Sequence, residues 1–201
     1  MMQLPFVYLA SQSPRRQQLL GQIAVPFEVL LPTDAVAAEA LELVLPDEAP
    51  LAYVQRVTLL KLQGAKLELK QRGMPLHPIL CADTTVALGN AILGKPQTAQ
   101  EAQDMLMRLS GKTHQVFTAI AIGHGRKTLR AVSRSKVCFD VLSEADVQAY
   151  VASGEPMGKA GAYGIQGLAS RFIRSIQGSY SGIMGLPLFE TSQLLQKISK
   201  G

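Results

Sequence analysis

The fold is decided by one stretch near the start of the chain, which reads Phe6-Val7-Tyr8-Leu9-Ala10-Ser11-Gln12-Ser13-Pro14-Arg15-Arg16. Its first five residues are apolar and predict a buried strand. Pro14 suits the first position of a helix, and Ser13 before it suits the helix cap. A strand that leads directly into a helix is the usual opening of an α/β fold.

The rest of the chain continues this alternation, with no internal repeat and no low-complexity segment. Further strands are predicted at Phe27 to Leu31, Pro78 to Asp83, Thr85 to Leu88, Ala91 to Leu93, His114 to Gly123, Leu129 to Val141 and Arg171 to Ile176. Helices are predicted from Ser13, over Leu51 to Gln71, Thr98 to Leu109 and Ser143 to Ala152, and after Gly185-Leu186-Pro187. With 201 residues, 47% of them hydrophobic, we expect a single α/β domain over residues 1–201.

Composition also bears on location. No apolar run approaches the ~18 residues that a membrane-spanning helix needs, and Met1-Met2-Gln3 lacks the basic start of a signal peptide. Cys81 and Cys138 lie in apolar strands, where free thiols are a better expectation than a disulfide or a zinc site. We therefore expect a cytoplasmic protein without a membrane partner.

The charge is unevenly distributed. Between Met105 and Phe139 there is no acidic residue, and the bases there are Arg108, Lys112, Arg126, Lys127, Arg130, Arg134 and Lys136. Such a region can attract nucleic acid or a small phosphorylated ligand, or simply be solvated. Because aromatic residues make up only 5% of the chain and tryptophan is absent, a stacking surface for single strands is weak. A small anionic ligand is the better expectation.

The start of the first helix is a candidate phosphate site. A helix N-terminus has unpaired N–H groups and partial positive charge. Ser13, Arg15 and Arg16 lie there, and two arginines add paired donors for phosphate oxygens. The alternative is that Ser13 only caps the helix and the arginines are solvated.

Three further charged residues could act on a bound phosphate. Asp83, in Ala82-Asp83-Thr84-Thr85, is predicted to end a central strand, where it could bind Mg²⁺ or accept a proton from water. Lys95 follows Gly94 in a turn stiffened by proline, and Lys61 interrupts the apolar pattern of the long helix. Each has an ordinary alternative: a turn aspartate, an exposed turn lysine, and a lysine whose chain lies along the surface.

A glycine-rich segment, Lys159-Ala160-Gly161-Ala162-Tyr163-Gly164-Ile165-Gln166-Gly167, could approach a ligand closely. The amide of Gln166 suits the imide edge of uracil or thymine. The segment lacks the order of a P-loop, and it could be only a flexible loop. His114 is expected to be a hydrogen-bonded structural residue.

Together, these motifs resemble the Maf family of nucleotide pyrophosphatases over essentially the whole chain. The landmarks in order are Leu9 to Arg16, Ala82-Asp83-Thr84, Gly94-Lys95-Pro96, Leu109 to Val116, Tyr150 to Pro156, Lys159 to Gly167 and Gly185-Leu186-Pro187. Each motif alone is weak, whereas the ordered set is highly specific.

The resemblance implies a mixed, twisted sheet with flanking helices in two lobes around a central cleft, usually in a homodimer. It implies hydrolysis of a nucleoside triphosphate to the monophosphate and pyrophosphate with Mg²⁺ or another divalent cation such as Mn²⁺. The implied roles are proton acceptor for Asp83, base choice for Arg15, Thr84 and Gln166, and phosphate binding for Ser13, Arg16, Lys61 and Lys95. The residues at the base-choice positions resemble the branch that acts on dTTP and UTP rather than the branch that acts on 7-methyl-GTP.

One segment departs from the family pattern. Members commonly carry an acidic pair after the second strand, whereas this chain reads Pro32-Thr33-Asp34-Ala35-Val36. Asp34 is expected to join Asp83 at the metal, with Glu39 as the alternative. If neither reaches it, a nucleotide-binding regulator with weakened catalysis becomes the competing interpretation. A nucleic-acid-binding protein that uses the basic region is a third.

Overall fold

The computed structural model describes residues 4–199, apart from the side chains of residues 38 and 39. The strands are β1 (Val7–Leu9), β2 (Phe27–Val29), β3 (Ile79–Leu88), β4 (Ala91–Leu93), β5 (Thr113–His124), β6 (Lys127–Phe139) and β7 (Ile173–Gln177). The helices are α1 (Pro14–Gln22), α2 (Ala35–Ala40), α3 (Pro50–Gln71), α4 (Ala99–Leu109), α5 (Glu144–Ala152), α6 (Tyr180–Met184) and α7 (Leu188–Ser199). Two short 3₁₀ helices, Ala160–Ala162 and Leu168–Phe172, lie between α5 and β7.

All seven strands belong to one mixed sheet in the order β2-β1-β3-β5-β6-β7, with β4 paired to β3. β1 pairs in parallel with β2 and β3, and the pairs from β3 through β5 and β6 to β7 are antiparallel. The predicted mixed sheet with flanking helices is therefore confirmed.

β3 differs from its prediction in one respect that matters for the site. Two strand pieces around a polar break were expected, with Asp83 at the end of the first. The structure has one continuous strand, because Asp83 and Thr84 pair with Ala119 and Thr118 of β5 in an unbroken ladder. Asp83 thus lies in the middle of a strand rather than at its carboxyl end.

The other edge of β3 is interrupted. β1 pairs with Ile79 and Leu80, and β4 pairs with residues 86–88. Among the described residues, no strand pairs with residues 81–85 on this edge. We call this interval the β3 gap. It leaves the middle of a central strand open to a ligand from the side.

The two faces of the sheet are covered differently. The buried side chains of α3, including Val54, Val57 and Leu62, pack on one face over β3 and β5. Each such burial contributes roughly 1.5–3 kcal/mol. Leu67 of the same helix faces away from the sheet and is 61% exposed. The larger core, on the other face, includes residues of α4, α5 and α7.

Two shorter features complete the fold. Helix α6 was not predicted, and it ends at Gly185, whose φ of 127° suits glycine. Cys81 and Cys138 are free thiols, as expected. Over the described part of the chain, the helices are all too short or too polar to cross a membrane.

Candidate active site

A cleft of about 580 Å³ opens at the β3 gap, a size within the usual range of ligand pockets. Its walls come from the start of α1, the middle of α3, β3, the segment before α3, the glycine-rich segment and the end of α6. The predicted site residues that line it are Ser13, Arg15, Arg16, Lys61, Asp83, Thr84, Lys95 and Gln166. The fold therefore gathers side chains that are up to 153 positions apart, the separation of Ser13 and Gln166.

Asp34 is the predicted site residue that the structure does not bring into this cleft. Helix α2 begins immediately after it, and its Oδ1 accepts the backbone N–H of Ala37 at 2.9 Å. An aspartate before a helix commonly serves its own backbone in this way. Asp34 is exposed and does not line the cleft. The side chain of Glu39, the alternative ligand, lies outside the described residues.

Glu42 contributes the second carboxylate of the cleft, although it was not among the site residues predicted from the sequence. Its Oε1 lies 2.7 Å from Nζ of Lys61, and its Oε2 lies 2.6 Å from Nζ of Lys95. Tyr53 of α3 donates its hydroxyl to the carbonyl of Glu42 at 2.8 Å, which holds the segment in place. Glu42 lies in a stretch rich in acidic residues, from Glu28 to Glu48, but no sequence motif distinguishes it from the other acids there.

Lys61 links the two carboxylates. Its Nζ lies 2.6 Å from Oδ1 of Asp83 and 2.7 Å from Oε1 of Glu42. Burial acts to lower the pKa of Lys61, but the negative charges of Asp83 and Glu42 outweigh it and raise that pKa. Burial likewise opposes ionisation of Glu42, but the two lysines lower its pKa. Lys61 and Glu42 are therefore both charged at neutral pH.

The two arginines of α1 are tied to the end of α6. Arg16 donates from Nε to the carbonyl of Gly185 at 2.8 Å and from Nη1 to Oγ of Ser11 at 3.0 Å. Arg15 donates from Nε to the carbonyl of Met184 at 3.4 Å. Burial lowers the pKa of Arg16, an effect that the charge of Asp83 opposes. Ser13 precedes α1 as predicted, but its side chain makes no capping bond.

Asp83 and Thr84 point to opposite faces of the sheet because successive strand residues alternate. Asp83 faces α3 and contacts Lys61. On the other face, Oγ1 of Thr84 lies 2.9 Å from Oγ1 of Thr118 and accepts a bond from Nη2 of Arg16 at 3.4 Å. Both side chains nevertheless line the cleft, because no described strand covers this edge of β3 at the β3 gap.

The glycine-rich segment is anchored to the core at several points along its cleft-lining part. Gly161 has a φ of 69°, and a Cβ there would lie 2.8 Å from Val86, so glycine is required. The hydroxyl of Tyr163 lies 2.8 Å from Nε2 of His114. Ile165 is buried, whereas Gln166 is exposed. The segment is thus a fixed wall of the cleft.

His114 has the structural role that was expected. It is 1% exposed and packs edge-on against Phe139 and Tyr163. Burial lowers its pKa to about 4, so the ring is neutral at neutral pH and does not act as a charged group.

The arginines and lysines of the basic region lie apart from the cleft. All seven are exposed, and none of them lines the cleft. The positive charge at the cleft comes instead from α1, α3, the turn after β4 and Lys159 of the glycine-rich segment.

Comparison with known proteins identifies the family. A family model described as Maf-like protein matches residues 6–198. The chain belongs to the Maf family. The resemblance predicted from the ordered motifs is confirmed.

Similar Maf proteins cover nearly all of the chain. A protein of Albidiferax ferrireducens named dTTP/UTP pyrophosphatase is 59% identical over 191 residues, which is 95% of this chain and 96% of the relative. A protein of the same name from Ralstonia nicotianae is 57% identical over 192 residues, 95% of this chain and 93% of the relative. The cleft of this Maf protein is therefore a candidate nucleotide-binding site.

Proposed function

We propose that this Maf protein hydrolyses dTTP and UTP, and modified pyrimidine nucleotides of the same shape, to the monophosphate and pyrophosphate. The observation that carries the proposal is the position of Asp83, a carboxylate in the β3 gap with a lysine on one side and an arginine-bearing helix start on the other. The relatives named for this activity support it.

Binding of the triphosphate is assigned to the cations around the cleft. The first turn of α1 contains no acidic residue and two arginines, although a helix start by itself favours negative charge. A bound phosphate would supply that charge and accept bonds from Arg15, Arg16 and the backbone near Ser13. Lys61 and Lys95 also line the cleft.

The donor set of the cleft fits a divalent cation such as Mg²⁺. Asp83 and Glu42 both contact Nζ of Lys61, so their carboxylates lie close together. In the described part of the chain there is no group of three or more His, Cys, Asp or Glu residues that could hold a metal. Mg²⁺ in enzymes is usually bound by one or two carboxylates, by several water molecules and by substrate phosphates. The two carboxylates of the cleft fit this pattern. When bound, Mg²⁺ would offset charge on the triphosphate.

Asp83 is assigned as the proton acceptor. Water attacks at the α–β phosphoanhydride, Asp83 takes a proton from that water, and the bond to the bridging oxygen breaks as pyrophosphate leaves with the electron pair. Lys61, at 2.6 Å from Oδ1, orients the carboxylate. The positively charged side chains around the cleft then stabilise the negative charge on the departing pyrophosphate.

Choice of base is assigned to Arg15, Thr84 and Gln166. Thr84 is oriented by Thr118, whose hydroxyl donates to the carbonyl of Gly182 at 2.7 Å. The exposed amide of Gln166 can donate to a carbonyl and accept from the N–H of uracil or thymine. A 7-methylguanine presents a different edge, which disfavours 7-methyl-GTP as substrate.

The test is release of pyrophosphate from dTTP, UTP, CTP, GTP and 7-methyl-GTP with Mg²⁺. We expect dTTP and UTP to turn over fastest. Turnover only of 7-methyl-GTP would overturn the choice of base. Binding of these nucleotides without any turnover would favour the regulator.

Two further assignments accompany the activity. The free thiols of Cys81 and Cys138 support a cytoplasmic location, where thiols stay reduced. A homodimer is expected for this family and is tested by light scattering during size-exclusion chromatography.

A further inference from the structure

Glu155 lies just behind the glycine-rich wall of the cleft and does not line the cleft itself. Its Oε1 accepts the hydroxyl of Tyr150 at 2.9 Å, and its Oε2 accepts the backbone N–H of Leu168 at 2.9 Å. Tyr150 is a buried residue of α5. The carboxylate therefore joins a rigid helix to the backbone two residues beyond Gln166.

Gln166 depends on its backbone for its position. It is exposed, and within residues 4–199 its side chain makes no hydrogen bond that would fix it. On its N-terminal side, Ile165 is buried. On its C-terminal side, the first polar anchor to another element is the bond from Leu168 to Glu155. This bond is the nearest anchor to Gln166 on that side, ahead of Ala169, which is buried in the core.

Gly167 shows how closely the carboxylate approaches the segment. A Cβ at this position would lie 2.2 Å from Oε1 and 2.5 Å from Oε2 of Glu155. The backbone at Gly167 has φ −102°, a value open to any residue. A side chain at this position would therefore have to displace the carboxylate of Glu155, whereas the backbone conformation itself does not call for glycine.

We infer that Glu155 is a positioning residue for base selection, which holds Gln166 at the cleft through its hydrogen bonds to Tyr150 and Leu168. The inference rests on the proposed role of Gln166 in reading the base. Glu155 touches neither the nucleotide nor the reacting atoms. It acts by fixing the backbone that presents the amide.

The experiment compares Glu155→Ala, Glu155→Gln and Glu144→Gln. Glutamine can still accept from Leu168 and can donate to the oxygen of Tyr150, so it conserves both contacts. Glu144 is an exposed acid in the first turn of α5, the helix that carries Tyr150, and serves as the matched control. Binding of UMP and CMP by calorimetry gives the base preference, and amide exchange of Leu168 reports the anchor directly.

In Glu155→Ala we expect the preference for UMP over CMP to fall about tenfold, the equivalent of one net hydrogen bond. The amide of Leu168 should exchange faster. Glu155→Gln should retain most of the preference, and Glu144→Gln all of it. An equal loss of affinity for UMP and CMP would show a general structural role and would overturn the inference, as would an unchanged preference.

Gly167→Ala provides a second approach that leaves Glu155 in the chain. The added methyl group should displace the carboxylate and reduce the preference as Glu155→Ala does. In the Glu155→Ala background, Gly167→Ala should add little, because the group it would displace is gone. Additive losses would overturn the inference.

The two proposals fail in different ways. If the wild-type protein does not distinguish UMP from CMP but Leu168 exchanges faster in Glu155→Ala, the assigned role of Gln166 is wrong while the anchor is real. If exchange of Leu168 is unchanged, Glu155 does not position the segment, whatever the base preference.

Discussion

Nζ of Lys61 lies 2.6 Å from Oδ1 of Asp83, in a pair formed between the middle of α3 and the middle of β3. Both elements are embedded in the packing of one sheet face, so the distance is set by the core rather than by a mobile loop. The carboxylate proposed to accept a proton thus has a fixed position and a neighbouring positive charge.

Asp83→Asn should lower kcat for dTTP about 10²–10⁴-fold, since loss of a general base typically costs this much. The fold should persist because asparagine has the same shape and Lys61 keeps its bond to Glu42. Steady-state release of pyrophosphate measures the effect, with a thermal melt to confirm folding. A kcat close to that of the wild type would remove Asp83 from the mechanism.

Glu42→Gln should weaken binding of Mn²⁺, used as a spectroscopic substitute for Mg²⁺, by at least about tenfold, because even partners outside the metal shell can cost that much. Asp34→Asn is the matched control and should leave the affinity unchanged, since Asp34 serves the start of α2. Electron paramagnetic resonance of free Mn²⁺ measures both. If Asp34→Asn weakened Mn²⁺ binding and Glu42→Gln did not, the metal ligand would be Asp34 rather than Glu42.

Arg16→Lys should reduce the free energy of unfolding by about 2 kcal/mol, a typical value for hydrogen bonds to a charged group. The guanidinium donates to Gly185, Ser11 and Thr84 at once, a set that a single ammonium group cannot match. Urea denaturation measures the change. Arg126→Lys, in the exposed turn between β5 and β6, should have no comparable effect.

The buried ring of His114 should make stability depend on pH. Its pKa is about 4 in the folded protein against an ordinary value of 6.5, so below pH 6.5 the unfolded chain binds a proton that the folded protein does not. Stability is therefore lost as pH falls from about 6.5 towards 4. Between pH 7.5 and pH 5.0 the loss should be about 2 kcal/mol.

Urea denaturation at these two pH values checks this prediction, with His114→Gln as the comparison. In His114→Gln the free energy of unfolding should fall by about 2 kcal/mol less between the two pH values. His77 and His124 are present in both proteins, so they do not account for this difference. An equal change in the two proteins would show that His114 does not cause it.

Local sequence signals predicted most of the elements. Pro14 marked the start of α1, and Thr98 caps α4 by accepting the N–H of Glu101 at 3.1 Å. Such signals act over a few residues and can be read from sequence. The continuity of β3 could not be read in this way, because its partner strand β5 supplies the ladder that carries Asp83 and Thr84 through a polar interval.

The residues of the cleft show the same difference between local sequence signals and tertiary contacts. Arg15, Asp83 and Gln166 stand in motifs and were predicted, and the structure places them along one cleft. Glu42 stands in no motif, and its position depends on Tyr53 of α3, whose hydroxyl donates to its carbonyl. Asp34 was favoured by its place after β2, but a helix start nearby uses its carboxylate. Tertiary contacts of this kind leave no local pattern.

The β3 gap also constrains how such a protein can change. Asp83 and Thr84 are neighbours that project to opposite sides of one strand, and this arrangement depends on the two-residue period of that strand. Inserting or deleting a single residue ahead of them would exchange their sides and place the carboxylate among the partners of Thr84. New substrate preferences can therefore arise by replacing side chains on either side of β3, whereas its length from Ile79 to Asp83 must stay constant.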